Sequence, residues 1–151
     1  MVGDTDDDIA VRRRGTSGHR ASGHTADVRI EAWGADRESC LLEAVRGMVE
    51  CFVDVTGAHA TSVARVRLPD EGDEELLAAL LDEVVYRLEV RGEIPVDVAA
   101  APADGALDVR FAMAELKSVE ITGAVPKAVA WHELRIRPDA YGWSCAVTID
   151  V

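Results

Sequence analysis

The sequence predicts an α/β (α+β) two-layer sandwich, in which a mixed sheet of about six strands carries two helices packed on one face. Three observations lead to this fold class. Two segments repeat apolar residues with helical spacing, several others alternate apolar and polar residues as half-buried strands do, and turn residues separate them. Two helices cannot cover both faces of so many strands, so one sheet face should be partly open to solvent.

Length and charge limit what this protein can be. The chain has 151 residues, 48% of them hydrophobic, and a formal net charge of −12. This length suits one domain with a packed core. Holding nucleic acid by its phosphates needs a cationic surface, so we expect RNA to be reached only through another protein. No apolar run approaches the roughly 20 residues of a membrane span. We therefore expect a cytoplasmic protein without membrane contact.

The three cysteines are expected to be reduced. Cys40 and Cys51 lie on one predicted helix, roughly 16 Å apart along its axis, and no disulfide spans that distance. Neither a CxxC motif nor zinc-ligand spacing is present.

The chain begins with a predicted disordered tail over residues 1–22, where aspartates, a run of three arginines and small polar residues offer too little apolar surface to fold. Residues 23–151 form the predicted domain. Its first strand begins near Asp27, because Val28 and Ile30 alternate with charged residues from there on. His24 therefore lies in the loop that enters this strand.

Two helices follow, over residues 36–53 and 73–90, each with a two-residue-wide apolar stripe that should lie on the sheet. A strand over 64–68 separates them, and Gly92 ends the second helix. Glu83 lies off the second stripe, as a solvated residue would. Strands over 94–100 and 107–113 are joined by the hairpin signal Asp104-Gly105. The region 115–125 is ambiguous.

The chain closes with a hairpin over residues 127–151. Two apolar rows should face the core together: Ala128, Ala130, His132, Leu134 and Ile136 on one strand, and Trp143, Cys145, Val147, Ile149 and Val151 on the other. With a five-residue connection, this parity places Asp150 on the opposite face, beside Val129 and one diagonal step from Lys127. An aspartate, a lysine and the terminal carboxylate of Val151 should therefore meet at one corner of a sheet.

Asp27 opens the first strand and Asp150 closes the last. If these strands are antiparallel neighbours, their carboxylates meet at one sheet edge and need a proton or cation for neutralisation. Oxygen ligands without thiolates suit Ca²⁺, Mg²⁺ or Mn²⁺. The plainer alternatives stay open: Asp27 as a turn cap, His132 as a core histidine and Lys127 as a surface lysine.

Familiar catalytic motifs are missing from the sequence. It contains no nucleophile elbow, P-loop, dinucleotide fingerprint or zinc-protease motif. A self-contained enzyme is therefore not supported.

Four segments together resemble the archease family: HTADVRIEAWG, LLDEVVYRLEV, PKAVAWHELRI and the ending GWSCAVTIDV. The resemblance runs from about Gly23 to Val151. It implies an archease-like fold and a protein that activates an RtcB-type RNA ligase, which uses GTP to join 2′,3′-cyclic-phosphate and 5′-hydroxyl RNA ends in tRNA splicing or RNA repair. Such an activator promotes guanylylation of the ligase and multiple turnover, and is not a catalyst itself.

The resemblance also implies site residues. The metal site, of calcium type, maps onto Asp27, Asp150 and Val151, and the functional lysine onto Lys127. We expect His24, His132 and Glu83 to stand behind these groups. Two other functions stay open: a metal-dependent phosphate-handling enzyme that uses the same carboxylates, and a chaperone-like protein-binding module.

Overall fold

The computed structural model describes residues 15–23 and 27–151 and confirms the α+β class. The elements are β1 (Gly18–Gly23), β2 (Asp27–Gly34), α1 (Arg37–Glu50), β3 (Val53–Asp54), β4 (Ser62–Pro69), α2 (Asp73–Arg91), β5 (Glu93–Ala103), β6 (Ala106–Glu115), a 3₁₀ turn (Leu116–Ser118), β7 (Glu120–Ile121), β8 (Ala128–Asp139) and β9 (Gly142–Asp150). Both larger sheets contact both helices, so the helices and sheets share one apolar core.

The strands form three antiparallel sheets instead of the single mixed sheet that we expected. The strand orders are β1-β2-β9-β8, β4-β6-β5 and β3-β7. Parallel neighbours do not form among these strands for a topological reason. The connection through α1 leads from one sheet to another, and the connection through α2 joins β4 to β5, between which β6 is inserted.

Both predicted helices are present, each with its apolar stripe buried. At the start of α1, the Asp36 side chain accepts a hydrogen bond of 2.7 Å from the backbone N–H of Ser39. At the end of α2, Gly92 adopts the left-handed conformation that favours glycine. Helix α1 ends earlier than predicted, and the short β3 that follows pairs with β7. Within the described ranges, no helix is both long and apolar enough to cross a membrane.

Strand β1 lies inside the predicted tail, so the prediction of disorder is wrong for residues 18–22. This strand pairs with β2 along its whole length. The His19 ring also binds α1, with nitrogens 2.8 Å from Glu43 and 2.9 Å from Glu50. A Cβ on Gly47 would lie 3.2 Å from the Cβ of His19, so this glycine lets helix and strand approach closely. Few apolar residues mark β1 in the sequence. Residues 1–14 lie outside the described part.

The closing hairpin turns tighter than predicted, through Ala140 and Tyr141 alone. The predicted parity holds near the turn, where Ile136 faces Cys145, but it is inverted further along. Between the pairs Ala130–Thr148 and Arg135–Ala146 the register shifts, so four residues of β8 stand opposite one residue of β9. An odd number of extra residues exchanges the two faces of a strand.

That exchange corrects three expectations at the start of β8. Val129, not Ala128, faces Ile149 and is buried, and Ala128 stands opposite Asp150. His132 does not lie on the apolar face, since its side chain is 86% exposed. We call the four unpaired residues Trp131–Leu134 the β8 bulge.

Candidate metal and partner site

The start of β2, the end of β9 and the residue before β8 meet at one end of the four-stranded sheet. Asp27, the first residue of β2, is directly opposite Asp150, the last residue of β9. On the other side of Asp150, the backbone N–H of Lys127 donates a hydrogen bond of 2.8 Å to the Asp150 carbonyl oxygen. Val151 follows, half-buried. We call Asp27, Lys127, Asp150 and Val151 the acidic corner.

The two aspartates of the acidic corner carry unneutralised charge. In residues 15–23 and 27–151, neither carboxylate forms an ion pair or hydrogen bond with another described residue. Directly opposed residues have Cβ atoms about 4.5–5.5 Å apart, and like charges at that spacing destabilise a sheet. A cation between the carboxylates would remove this repulsion.

The donor atoms at the corner fit a hard divalent cation. They are the carboxylate oxygens of Asp27 and Asp150, followed in the chain by the backbone carbonyl of Val151, and no thiolate is among them. Ca²⁺ and Mg²⁺ prefer such ligands, whereas structural zinc prefers sulfur and imidazole. Over the described ranges, no three His, Cys, Asp or Glu side chains cluster as a metal site. A cation bound at the corner would therefore need main-chain oxygens or water as further ligands.

Arg29 lies beside the acidic corner and was not singled out from the sequence. It is two residues after Asp27 on the same sheet face, opposite Thr148. Its Nη1 atom is buried, has no hydrogen-bond partner among the described residues, and lies 3.8 Å from an Oε2 atom of Glu133 in the β8 bulge. The sequence could have indicated that Arg29 lies near Asp27, because residues two apart on a strand are on the same face.

Lys127 is exposed, and its ammonium group forms no ion pair with the residues that the structure describes. Its backbone N–H is bonded to the Asp150 carbonyl oxygen, and its side chain extends from an exposed position. The corner thus combines two carboxylates with one available cation. Such a combination can bind a metal ion and an anionic group side by side.

The expected supporting residues are not brought together here. Glu83 accepts a hydrogen bond of 2.8 Å from Arg87 and so is engaged within α2. His132 is exposed in the β8 bulge, 3.8 Å from a carboxylate oxygen of Glu133. His24 lies outside the described residues. The charged pair that the structure does place near the corner is Arg29 and Glu133.

The β8 bulge also presents a large apolar side chain. Trp131 is 57% exposed, and Glu133 has a φ of 61°, which residues other than glycine adopt rarely. Sequence analysis missed this feature because it placed the bulge residues in a regular strand.

The fold and the corner define a class: small, acidic α+β proteins in which two paired antiparallel strands, here β2 and β9, bring an aspartate from each to one end of a sheet. The profile of the archease protein family (MTH1598/TM1083) matches residues 19–151. The chain belongs to the archease family.

Relatives of this chain carry the same family name. It is 48% identical over 136 residues to the probable protein archease of Mycobacterium tuberculosis (strain H37Rv), covering 90% of this chain and 76% of that protein. It is 26% identical over 137 residues to the protein archease of Archaeoglobus fulgidus, covering 88% of this chain and 98% of that protein.

Solved structures share the fold. The solution structure of Methanobacterium thermoautotrophicum protein 1598 superimposes with a TM-score of 0.70 at 23% identity, covering 89% of this chain and 99% of that one. The crystal structure of a Thermotoga maritima archease, described as a possible chaperone, gives a TM-score of 0.64 at 21% identity, covering 86% and 94%. At these identities the likeness concerns the fold alone.

Proposed function

We propose that this protein binds a divalent cation at its acidic corner and activates an RtcB-type RNA ligase, without being a catalyst itself. The observation that carries the proposal is the direct opposition of Asp27 and Asp150 in a member of the archease family. Directly opposed like charges destabilise a sheet, and a cation shared by the two carboxylates would remove that repulsion.

Each residue of the corner has a role in this proposal. Asp27 and Asp150 hold the cation through their carboxylates, and Val151 adds main-chain oxygen. Ca²⁺ is the first candidate, with Mg²⁺ and Mn²⁺ as alternatives. The bound cation supplies positive charge at the tip of an otherwise anionic surface. Lys127 contacts a phosphate or an acidic residue of the ligase.

Charge favours a protein partner over direct RNA capture. With a net charge of −12, the protein repels RNA at long range. An acidic corner suits a cationic or metal-bearing cleft, such as the nucleotide site of a ligase. RNA is then reached only through the ligase, in the cytoplasm, during tRNA splicing or RNA repair.

Ligase turnover tests the proposal. Purified ligase is given GTP, a divalent cation and RNA with 2′,3′-cyclic-phosphate and 5′-hydroxyl ends. Adding the protein at substoichiometric amounts should raise both guanylylation and the number of joined products per ligase. Asp150→Ala should remove the effect without unfolding the protein. Asp104→Asn is the matched control, because Asp104 is exposed in a hairpin turn that asparagine also suits.

Unchanged ligase turnover with the wild-type protein would refute the assignment. Two rival functions then make separate predictions. A phosphate-handling enzyme converts cyclic-phosphate or nucleotide substrates without any ligase, and loses that activity with Asp150→Ala. A chaperone-like module, in line with the description of the Thermotoga maritima relative, suppresses aggregation of a client protein and is indifferent to Asp27 and Asp150.

A further inference from the structure

The β8 bulge exposes a tryptophan beside the acidic corner. We propose that Trp131 is the apolar anchor by which this protein docks on the ligase, inserted into an apolar pocket at the rim of the cleft that receives the corner. This inference rests on the proposed function and adds to it a separate contact. The corner would act on the ligase site, and the bulge would supply affinity.

The bulge is a defined irregularity of β8, with its own register shift and backbone conformation. Four residues stand opposite one on β9, and Glu133 holds a left-handed backbone conformation. Glu133 is also 3.8 Å from the buried Nη1 atom of Arg29. Along the sheet, Arg29 faces Thr148, and Thr148 faces Ala130, the residue that precedes the bulge. These contacts connect the bulge to the strand that carries Asp27.

A bulge has another common use, which is to prevent an edge strand from pairing with a second molecule. β8 lies at one edge of the four-stranded sheet in the described part of the chain. Edges protected in this way normally display charge or proline, as Glu133 does. A tryptophan that is 57% exposed has the opposite effect, since its apolar surface favours association with a second molecule. Protection of the edge therefore explains Glu133 but leaves Trp131 unexplained.

Size and position together distinguish Trp131 from other exposed apolar side chains, since Val125, two residues before Lys127, is much smaller and only 37% exposed. Val63, Ile121 and Val90 are scattered over β4, β7 and α2, as single apolar residues on soluble proteins commonly are. Trp131 follows Ala128, the neighbour of Asp150, by three residues, which is about 10 Å along a strand. The inference requires a partner that covers both the corner and the first residues of β8 up to Trp131.

The chemistry of the partner follows from these two neighbours. The corner calls for a cationic or metal-bearing cleft, and the indole calls for an apolar pocket close to it. Tryptophan is among the residues most enriched at the energetic centres of protein interfaces. Under the proposed function the ligase is the occupant, so the inference requires an apolar pocket beside its nucleotide cleft.

Trp131→Ala tests the inference in the ligase assay, with the concentration of the protein varied. Tyr86→Ala is the matched control, because Tyr86 is an exposed aromatic residue on α2, 46% accessible. Trp131→Ala should raise the concentration for half-maximal activation at least about tenfold while the maximal turnover is retained. Trp131→Phe should restore most of the affinity. Asp150→Ala should instead lower the maximal turnover.

Tryptophan fluorescence gives a direct readout. Saturating ligase should protect the tryptophan fluorescence of the protein from quenching by acrylamide, and Trp131→Phe should remove that protection. The fluorescence of the ligase alone is subtracted from both measurements. Half-maximal activation of Trp131→Ala equal to that of the wild type would overturn the inference and leave the proposed function intact. Lack of activation by the wild type would overturn the proposed function first. Thermal melting shows that each variant is folded.

Discussion

The backbone N–H of Lys127 donates a 2.8 Å hydrogen bond to the carbonyl oxygen of Asp150. This bond places the start of β8 against the end of β9, so the lysine and the aspartate belong to one corner although 22 residues lie between them in the printed chain. The hydrogen bond holds the main chain of Lys127 in place. Its ammonium group has no ion-pair partner among the described residues and is available to a partner.

Lys127→Gln should separate activation from metal binding. We expect calcium to bind at least as tightly as in the wild type, because a nearby positive charge is removed. Stability should stay within about 0.5 kcal/mol of the wild type, because the side chain is exposed and unpaired among the described residues. Ligase activation should fall about tenfold, as for the loss of one charge-assisted hydrogen bond. Calorimetry with Ca²⁺ and the turnover assay measure the two effects.

Lys117→Gln serves as the control for this prediction. The chain contains two lysines, and the side chain of Lys117 is 84% exposed, beside Glu115. It should activate the ligase as the wild type does. Equal activation by both variants would remove Lys127 from the site.

Asp27→Asn should change stability in opposite directions with and without metal. In EDTA we expect this variant to be more stable by roughly 0.2–1 kcal/mol, because it relieves the repulsion between two directly opposed carboxylates. With Ca²⁺ at 100 times its Kd, the wild type should gain about 2.7 kcal/mol and the variant should gain much less. Thermal melts at both conditions provide the measurement.

The acid-pair prediction has its own control. Asp104→Asn removes the same charge from a turn away from the corner. Its melting temperature should respond to Ca²⁺ as that of the wild type does. A calcium response that Asp27→Asn preserves in full would show that the cation binds elsewhere.

His19 should make stability depend on pH. Burial of its ring lowers the pKa, but the hydrogen bonds and charges of Glu43 and Glu50 outweigh burial, so the pKa is raised above its ordinary 6.5. A raised pKa in the folded state stabilises the fold fully below about pH 6.5, and this contribution is lost as pH rises through the folded-state value. Urea unfolding at pH 6 and pH 8.5 measures it.

Two substitutions sharpen the pH experiment. His19→Gln should cost about 1–2 kcal/mol at pH 6 and less at pH 8.5, because the charge-assisted hydrogen bonds weaken when the ring loses its proton. His59→Gln, exposed in the loop between β3 and β4, should change neither value appreciably. An equal cost of His19→Gln at both pH values would contradict the assignment of charge to this ring.

Removing Arg37, the first residue of α1, should cost more stability than removing a charge from the open surface. Its guanidinium contacts Asp70 at 2.8 Å, Asp73 at 3.0 Å and Glu38 at 3.1 Å, with 18% of the side chain exposed. Partial burial lowers its pKa, and the hydrogen bonds to these carboxylates more than offset that effect and raise it. The residue thus ties the start of α1 to the connection between β4 and α2.

Arg37→Ala should lower the free energy of unfolding by roughly 1.5–3 kcal/mol, since it leaves three acidic groups without their shared cation. Arg67→Ala is the matched control. Arg67 pairs with Asp108 at 3.2 Å but is 55% exposed, so its loss should cost less than about 1 kcal/mol. Chemical denaturation of the two variants compares them. A larger cost for Arg67→Ala would reverse the ranking by burial.

The helical period and the alternation of apolar and polar residues together made the helices and the start of β2 predictable from the sequence. The apolar stripes of α1 and α2 follow from the helical period, and the start of β2 at Asp27 follows from alternation and appears as predicted. The metal-ligand role of Asp27 and Asp150 remains a prediction, whereas the strand pairing on which it depends is observed.

By itself, the sequence determined which segments are helical, which are extended, and to which family the chain is similar, because these properties are written in the spacing of neighbouring residues. Only the tertiary structure decided that β2 and β9 pair, that β1 folds against α1, and that the β8 bulge inverts one end of the closing hairpin. Those outcomes depend on hydrogen bonds and packing between distant segments. A local period is blind to them, and a single shift of register turns every side chain beyond it to the other face.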